Sequence, residues 1–232
     1  MPVFRLGTTN VDQTTPLAER FGGWFVTGAG FAHLGNRVLT KAEDPGGTEP
    51  FGLSDVIKLD DYLRPTSDVV AHMLLVHQTQ MHNRIAHATL GARKALAYRD
   101  EMAGRFGEVS ESLAASVKRR IERPAEELLR YMLFADEAEI PGEGEGSPLV
   151  EEFRARGGMY ELDLEKRLLR TPVSYLVLSP AFDALPEETL EYLRRRLEMV
   201  LSGKAELADY LSESGRESIR RVLASRKPVL LK

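Results

Sequence analysis

The residues best suited to chemistry in this chain are its histidines. Four of the five, His72, His77, His82 and His87, fall in one stretch from Pro65 to Tyr98, PTSDVVAHMLLVHQTQMHNRIAHATLGARKALAY. The fifth, His33, lies in the glycine- and aromatic-rich segment FGGWFVTGAGFAHLGNRV. An imidazole changes charge near neutral pH and is a common metal ligand, so such a set invites a metal site or proton transfer. The spacing works against a chelate. On a helix each step of five residues turns the next histidine by about 140°, whereas two ligands from one helix need a separation of three or four. If His77 or His82 holds a metal, the other ligands come from elsewhere, and His33 is the histidine available.

A second alignment is tidier. Met73, His77, Gln80, Arg84 and His87 recur at steps of 4, 3, 4 and 3 and form one stripe, while His82 shares a face with Ala71, Leu75 and Gln78. Buried imidazoles and amides need hydrogen-bond partners. Three readings stay open. The first is a structural polar network, drawing on Asn36, Gln78, Asn83 and Arg84, that docks the glycine-rich segment on the helix. The second is a metal or non-covalent haem site at His33, His77 and His82. The third is acid–base catalysis.

Other chemistry is mostly excluded. The Gly28-x-Gly30 spacing lacks the third glycine of a dinucleotide loop, because His33 stands in its place, and no Lys-Ser/Thr follows as in a P-loop. There is no cysteine, which removes disulfides, thiolate sites and covalent CxxCH haem attachment. No serine sits in a GxSxG context. Asp136, Glu137 and Glu139 follow a helix end and read as solvated, and Asp183 reads as a cap for the helix after it. No residue is assigned as catalytic, and no cofactor is assigned from residue types alone.

The element that must position the histidines is a long helix. Thr66 or Ser67 can cap it, with Asp68 in the first turn, and it ends near Gly104 or Gly107. Apolar residues surround its first half, which predicts burial on most sides; after Gly91 it becomes amphipathic. Residues 1–52 read as an irregular or β segment, with a strand over Val3–Leu6 and a short hairpin near Trp24. Residues 53–140 hold the central helices: a short one over Ser54–Leu63, then Ser110–Arg123 and Pro124–Phe134 as two helices or one kinked one. After the loop PGEGEGSP, residues 148–232 form a C-terminal helical part, with helices over 149–156, Leu162–Leu169, Pro186–Val200 and Gly215–Ser225. VSYLVLSPAFDALP is a buried segment of undecided type. The whole reads as a mainly α single domain, 1–232, irregular in its packing around the central helix.

The totals fit a soluble globular protein. The 232 residues are 43% hydrophobic and 28% charged, and the net charge of −4 argues against nucleic-acid binding through phosphate neutralisation. Lys118-Arg119-Arg120 and Arg194-Arg195-Arg196 lie beside glutamates in helical patterns and read as salt-bridged, solvated faces. No apolar leader follows Met1, and no apolar run approaches the length of a membrane span.

The motifs carry a resemblance. Thr15-Pro16-Leu17-Ala18-Glu19-Arg20-Phe21-Gly22-Gly23-Trp24-Phe25-Val26-Thr27-Gly28, His33-Leu34-Gly35-Asn36, Ser67-Asp68-Val69-Val70-Ala71, His77-Gln78, His82-Asn83 and Ser174-Tyr175-Leu176 are among them. So is Ser179-Pro180-Ala181-Phe182-Asp183-Ala184-Leu185-Pro186. Together they are similar to the C-terminal, post-haem region of large exported c-type cytochrome-like proteins of planctomycetes and related bacteria. The CxxCH segment is absent, and Val173 stands where the relatives are expected to carry cysteine, so haem-based electron transfer is not implied. The resemblance implies a non-enzymatic accessory or interaction subunit whose protein partners belong to a membrane electron-transfer complex. His33, His77, Gln78, His82 and Asn83 are its matching polar residues. It also implies a periplasmic location if the chain derives from an exported precursor, and a cytoplasmic one otherwise.

Overall fold

A computed structural model describes residues 11–17, 20, 57–63, 69–140 and 148–231. The strand expected at Val3–Leu6, the hairpin near Trp24, His33, Asn36 and the caps at Thr66 and Ser67 lie outside the described residues. Within them the protein is mainly α-helical around a long central helix, as the sequence predicts. The helices are α1 (Val69–Phe106), α2 (Glu111–Met132), α3 (Pro148–Arg154), α4 (Pro180–Asp183), α5 (Glu187–Leu201) and α6 (Glu213–Arg226), with 3-10 turns between several of them. Among the described residues, no helix is long and apolar enough to cross a membrane.

The described residues fall into two compact units, and the division passes between His77 and Gln78 within α1. The first unit takes the chain up to His77 together with Asp136–Arg170. Its buried apolar residues include Leu17, Met73, Leu74, Ile140, Val150, Phe153, Met159 and Leu169. The predicted helix over Leu162–Leu169 is instead a tight antiparallel turn, in which Leu162 and Leu169 form a bridge. Asp163 Oδ1 accepts from the backbone N–H of Glu165 at 3.0 Å and of Lys166 at 3.2 Å. A short carboxylate that captures nearby N–H groups offers the backbone a turn in place of a helix. Leu164 completes it at φ +62.

The second unit takes Gln78–Ala135 and Thr171–Lys232. Ser110 caps α2 by accepting from the Leu113 N–H, and the buried side chains Val117, Ile121, Ala125, Leu128 and Met132 follow at helical spacing. α2 is one continuous helix that contains Pro124. A proline inside a helix leaves the carbonyl four residues back without its donor, here that of Arg120. Gly91 of α1 lies against this point: a Cβ there would sit 3.4 Å from both the Arg120 oxygen and Pro124 Cγ. Gly91 and the buried Ala92 and Ala95 therefore bring α1 close to α2, where Val117 and Ile121 complete a small apolar cluster. α2 packs on α5, and α5 on α6 and the terminal turn Pro228–Leu231. VSYLVLSPAFDALP resolves into a 3-10 turn over Tyr175–Leu178 and the short α4, and Phe182 is fully buried. Asp183 does not cap α5, whose cap position is Pro186; its carboxylate pairs with Lys227.

In the first half of α1, burial is one-sided rather than general. Val70, His72, Met73, Leu74, His77, Met81 and Ile85 are buried, but Leu75 is 48% exposed, and Thr79, His82 and Ala86 are exposed with it. These four positions share one side of the helix wheel. α1 ends at Phe106, where Gly107 takes φ +82 and returns its N–H to the Ala103 carbonyl.

Candidate functional site

The chemistry-bearing side chains gather in two places, one in each unit. In the first unit His77 is fully buried, and its Nδ1 lies 2.8 Å from Gln13 Oε1. An amide oxygen only accepts, so Nδ1 carries the hydrogen. Burial in apolar surroundings pushes the His77 pKa down from 6.5 to about 3, which leaves the ring neutral. The backbone of Gln13 is held as well. Its carbonyl accepts from the Ala138 N–H at 3.0 Å and from Arg20 Nη2 at 3.1 Å, while Arg20 Nε donates to the Thr15 carbonyl at 2.7 Å. The turn at residues 12–15 is closed by Asp12, whose carboxylate accepts from both the N–H and the hydroxyl of Thr14.

Next to Ala138, Glu137 corrects the sequence reading. It is part-buried rather than fully solvated, and its Oε1 accepts from the Leu168 N–H at 2.8 Å. Burial raises its pKa from 4.5 to about 7 against the opposing pull of that hydrogen bond and of the Arg167 and Arg20 charges, with Asp163 adding to the rise. Asp136 and Glu139 are exposed, as expected. The first unit thus joins a neutral buried imidazole, a buried arginine and a carboxyl that changes charge near neutral pH.

In the second unit Gln78 Nε2 donates to the Tyr175 hydroxyl at 2.7 Å. Arg84 Nη1 donates to Glu127 Oε2 at 2.7 Å, and Arg123 and His87 lie 3.5 and 3.9 Å from the same carboxylate. Asn83 is exposed and bonds Gln80 on its own helix at 3.3 Å. Glu126 accepts two hydrogen bonds from Arg196, at 2.7 and 2.9 Å, and one from the Tyr192 hydroxyl at 2.9 Å. Burial raises the Glu126 pKa, but these bonds and the charges of Arg196 and Arg130 outweigh it and leave the group below the usual carboxylate range. Burial and the same contact push Tyr192 up to about 12.

Comparisons with protein-family models, with curated proteins and with solved structures gave no match for the chain. The resemblance to cytochrome-like proteins rests on the motifs quoted above.

Of the residues singled out from the sequence, the structure places His77, Gln78 and Arg84 in specific hydrogen bonds and leaves His82 and Asn83 on the surface. His33 and Asn36 lie outside the described residues. Among the described residues, no three His, Asp or Glu side chains converge as a metal ion would need. The partners Gln13, Tyr175 and Glu127 lie 64, 97 and 43 residues from theirs. No local pattern marks them. Glu137 had one available signal: it stands a few residues after the end of α2 at Met132 but just before Ala138-Glu139-Ile140, where an isoleucine suited to burial implies that the chain turns inward.

Proposed function

We propose that the protein is a non-enzymatic accessory subunit, related to cytochrome-type proteins, that associates with a protein partner in a redox or electron-transfer assembly. The observation that carries this reading is the use made of the motif residues. Of the matching polar residues that are described, His77 and Gln78 each bond a residue far away in the sequence, as the neighbouring Arg84 does, and His82 and Asn83 lie on the surface. They therefore brace the fold or face outward rather than converge on a substrate position. A domain that keeps the motifs but lacks the cysteines of covalent haem fits a binding role better than electron transfer of its own. The test is affinity isolation of the tagged protein from both the membrane and soluble fractions of its native cells. A co-purifying redox protein in stoichiometric amount is the expected result. Recovery as a lone monomer from both fractions overturns the reading. So does stoichiometric metal or a Soret band in the purified protein that disappears in His77→Ala.

A further inference from the structure

The second unit carries a groove that the motif residues do not use. It has a volume of about 1000 Å³ and runs along α1 and α2, with Tyr192 of α5 contributing to its lining. Five cationic side chains, Lys94, Arg119, Arg120, Arg123 and Arg130, line it against three carboxylates, Glu122, Glu126 and Glu127. Each carboxylate is already met by a guanidinium from beyond that lining: Glu122 by Arg195 at 2.9 Å, Glu126 by Arg196 and Glu127 by Arg84. The lining therefore carries a net positive charge, although the whole chain carries a net charge of −4, and of its cations Arg123 also reaches Glu127 at 3.5 Å. Among the described residues Lys94 and Arg119 take part in no ion pair, and Arg120 lies 5.7 Å over the ring of Tyr98. Among the described residues Lys118, Arg119 and Arg120 take part in no ion pair, so the salt-bridged face that the sequence suggested there is not seen, whereas Arg194, Arg195 and Arg196 are each paired with a glutamate.

We infer that this groove docks an acidic protein surface, and that it is the partner-binding face of the accessory subunit proposed above, on which reading the inference rests. Guanidinium groups suit carboxylates, which they can grip with two parallel hydrogen bonds. A groove with a net positive charge also steers an oppositely charged partner into place. The three interleaved glutamates disfavour nucleic acid, whose charges follow one another every 1.7 Å or so along the axis. Carboxylates scattered over a protein surface can meet the cations and avoid the glutamates.

The test measures binding of a fluorescent poly-L-glutamate peptide to the full chain by anisotropy at low and high salt. Lys94→Glu with Arg119→Glu reverses two surface cations that hold no ion pair, and Arg220→Glu with Arg221→Glu on α6 makes the same charge change away from the groove. The expected result is salt-sensitive binding that weakens by about tenfold or more in the groove variant and stays near wild type in the α6 variant, with the melting curves of both unchanged. Equal loss in both variants overturns the proposal, as does tighter binding of inorganic polyphosphate or duplex DNA than of polyglutamate. A self-associated state that only the groove variant loses would assign the groove to a second copy and likewise overturn it. A native partner that the groove variant still captures sinks the groove but leaves the accessory role standing. Groove-dependent polyglutamate binding without any native partner does the reverse.

Discussion

His77 Nδ1 and Gln13 Oε1 meet at 2.8 Å across 64 residues of sequence, tying the turn at residues 12–15 to the first part of α1. The bond is buried, so it is costly to leave half made. His77→Phe fills the space but leaves the Gln13 amide oxygen without this donor. The expected loss is about 1–3 kcal/mol, read from urea unfolding at pH 7. Gln13→Leu in the same background should return part of it, because replacing both partners removes the orphaned acceptor. A double variant no more stable than His77→Phe alone would show that the pair is not coupled in this way.

The same histidine sets a pH dependence that Glu137 opposes. His77 has its pKa lowered from 6.5 to about 3, so the unfolded chain takes up a proton first as pH falls, and stability is lost from pH 6.5 downward. Glu137 has its pKa raised from 4.5 to about 7, so the unfolded chain releases its proton first as pH rises, and stability is lost from pH 4.5 up to about 7. Between pH 4.5 and 6.5 the two slopes have opposite sign, each limited to about 1.4 kcal/mol per pH unit. Stability of the wild type should therefore be nearly level in that window. Glu137→Gln should make it climb with pH, and His77→Phe should make it fall. Parallel profiles for all three proteins would refute the assignment.

What could be read in the sequence follows from the range of the interaction. The stop of the long helix at the second of its two candidate glycines, Gly107, and the span of α5 from just after Pro186 to about Val200 are set by residues within one turn of each other, and both appear as predicted. Leu162–Leu169 has apolar spacing that suits a helix, and the choice went the other way because Asp163 captures two N–H groups in the turn. The open side of α1 at Leu75 and Thr79 depends on which faces other segments cover, and hydrophobic count cannot supply that. The same is true of the site. Histidines and glutamines could be flagged by type, but Gln13, Tyr175 and the burial of Glu137 exist only once the chain has returned on itself.

Two helices end in the same backbone motif with different residues at its left-handed position, and this gives a stability test. α5 closes with the Gly203 N–H on the Val200 carbonyl and the Lys204 N–H on the Met199 carbonyl, Gly203 standing at φ +74. α2 closes with the Phe134 N–H on Tyr131 and the Ala135 N–H on Arg130, but the residue at φ +55 is Phe134. Glycine is the usual occupant, since a Cβ there costs roughly 1–2 kcal/mol. Gly203→Ala should destabilise by about 1 kcal/mol; the nearest atom a Cβ would meet is an Arg216 nitrogen at 3.8 Å, so the cost is conformational rather than steric. Phe134→Gly should relieve the same strain yet lose the burial of a phenyl ring, worth about 3 kcal/mol or more in a packed site. The net expectation is a marked loss for Phe134→Gly and a small one for Gly203→Ala, read from thermal melting of each variant. A Phe134→Gly protein as stable as wild type would mean that ring burial does not hold the strained turn in place.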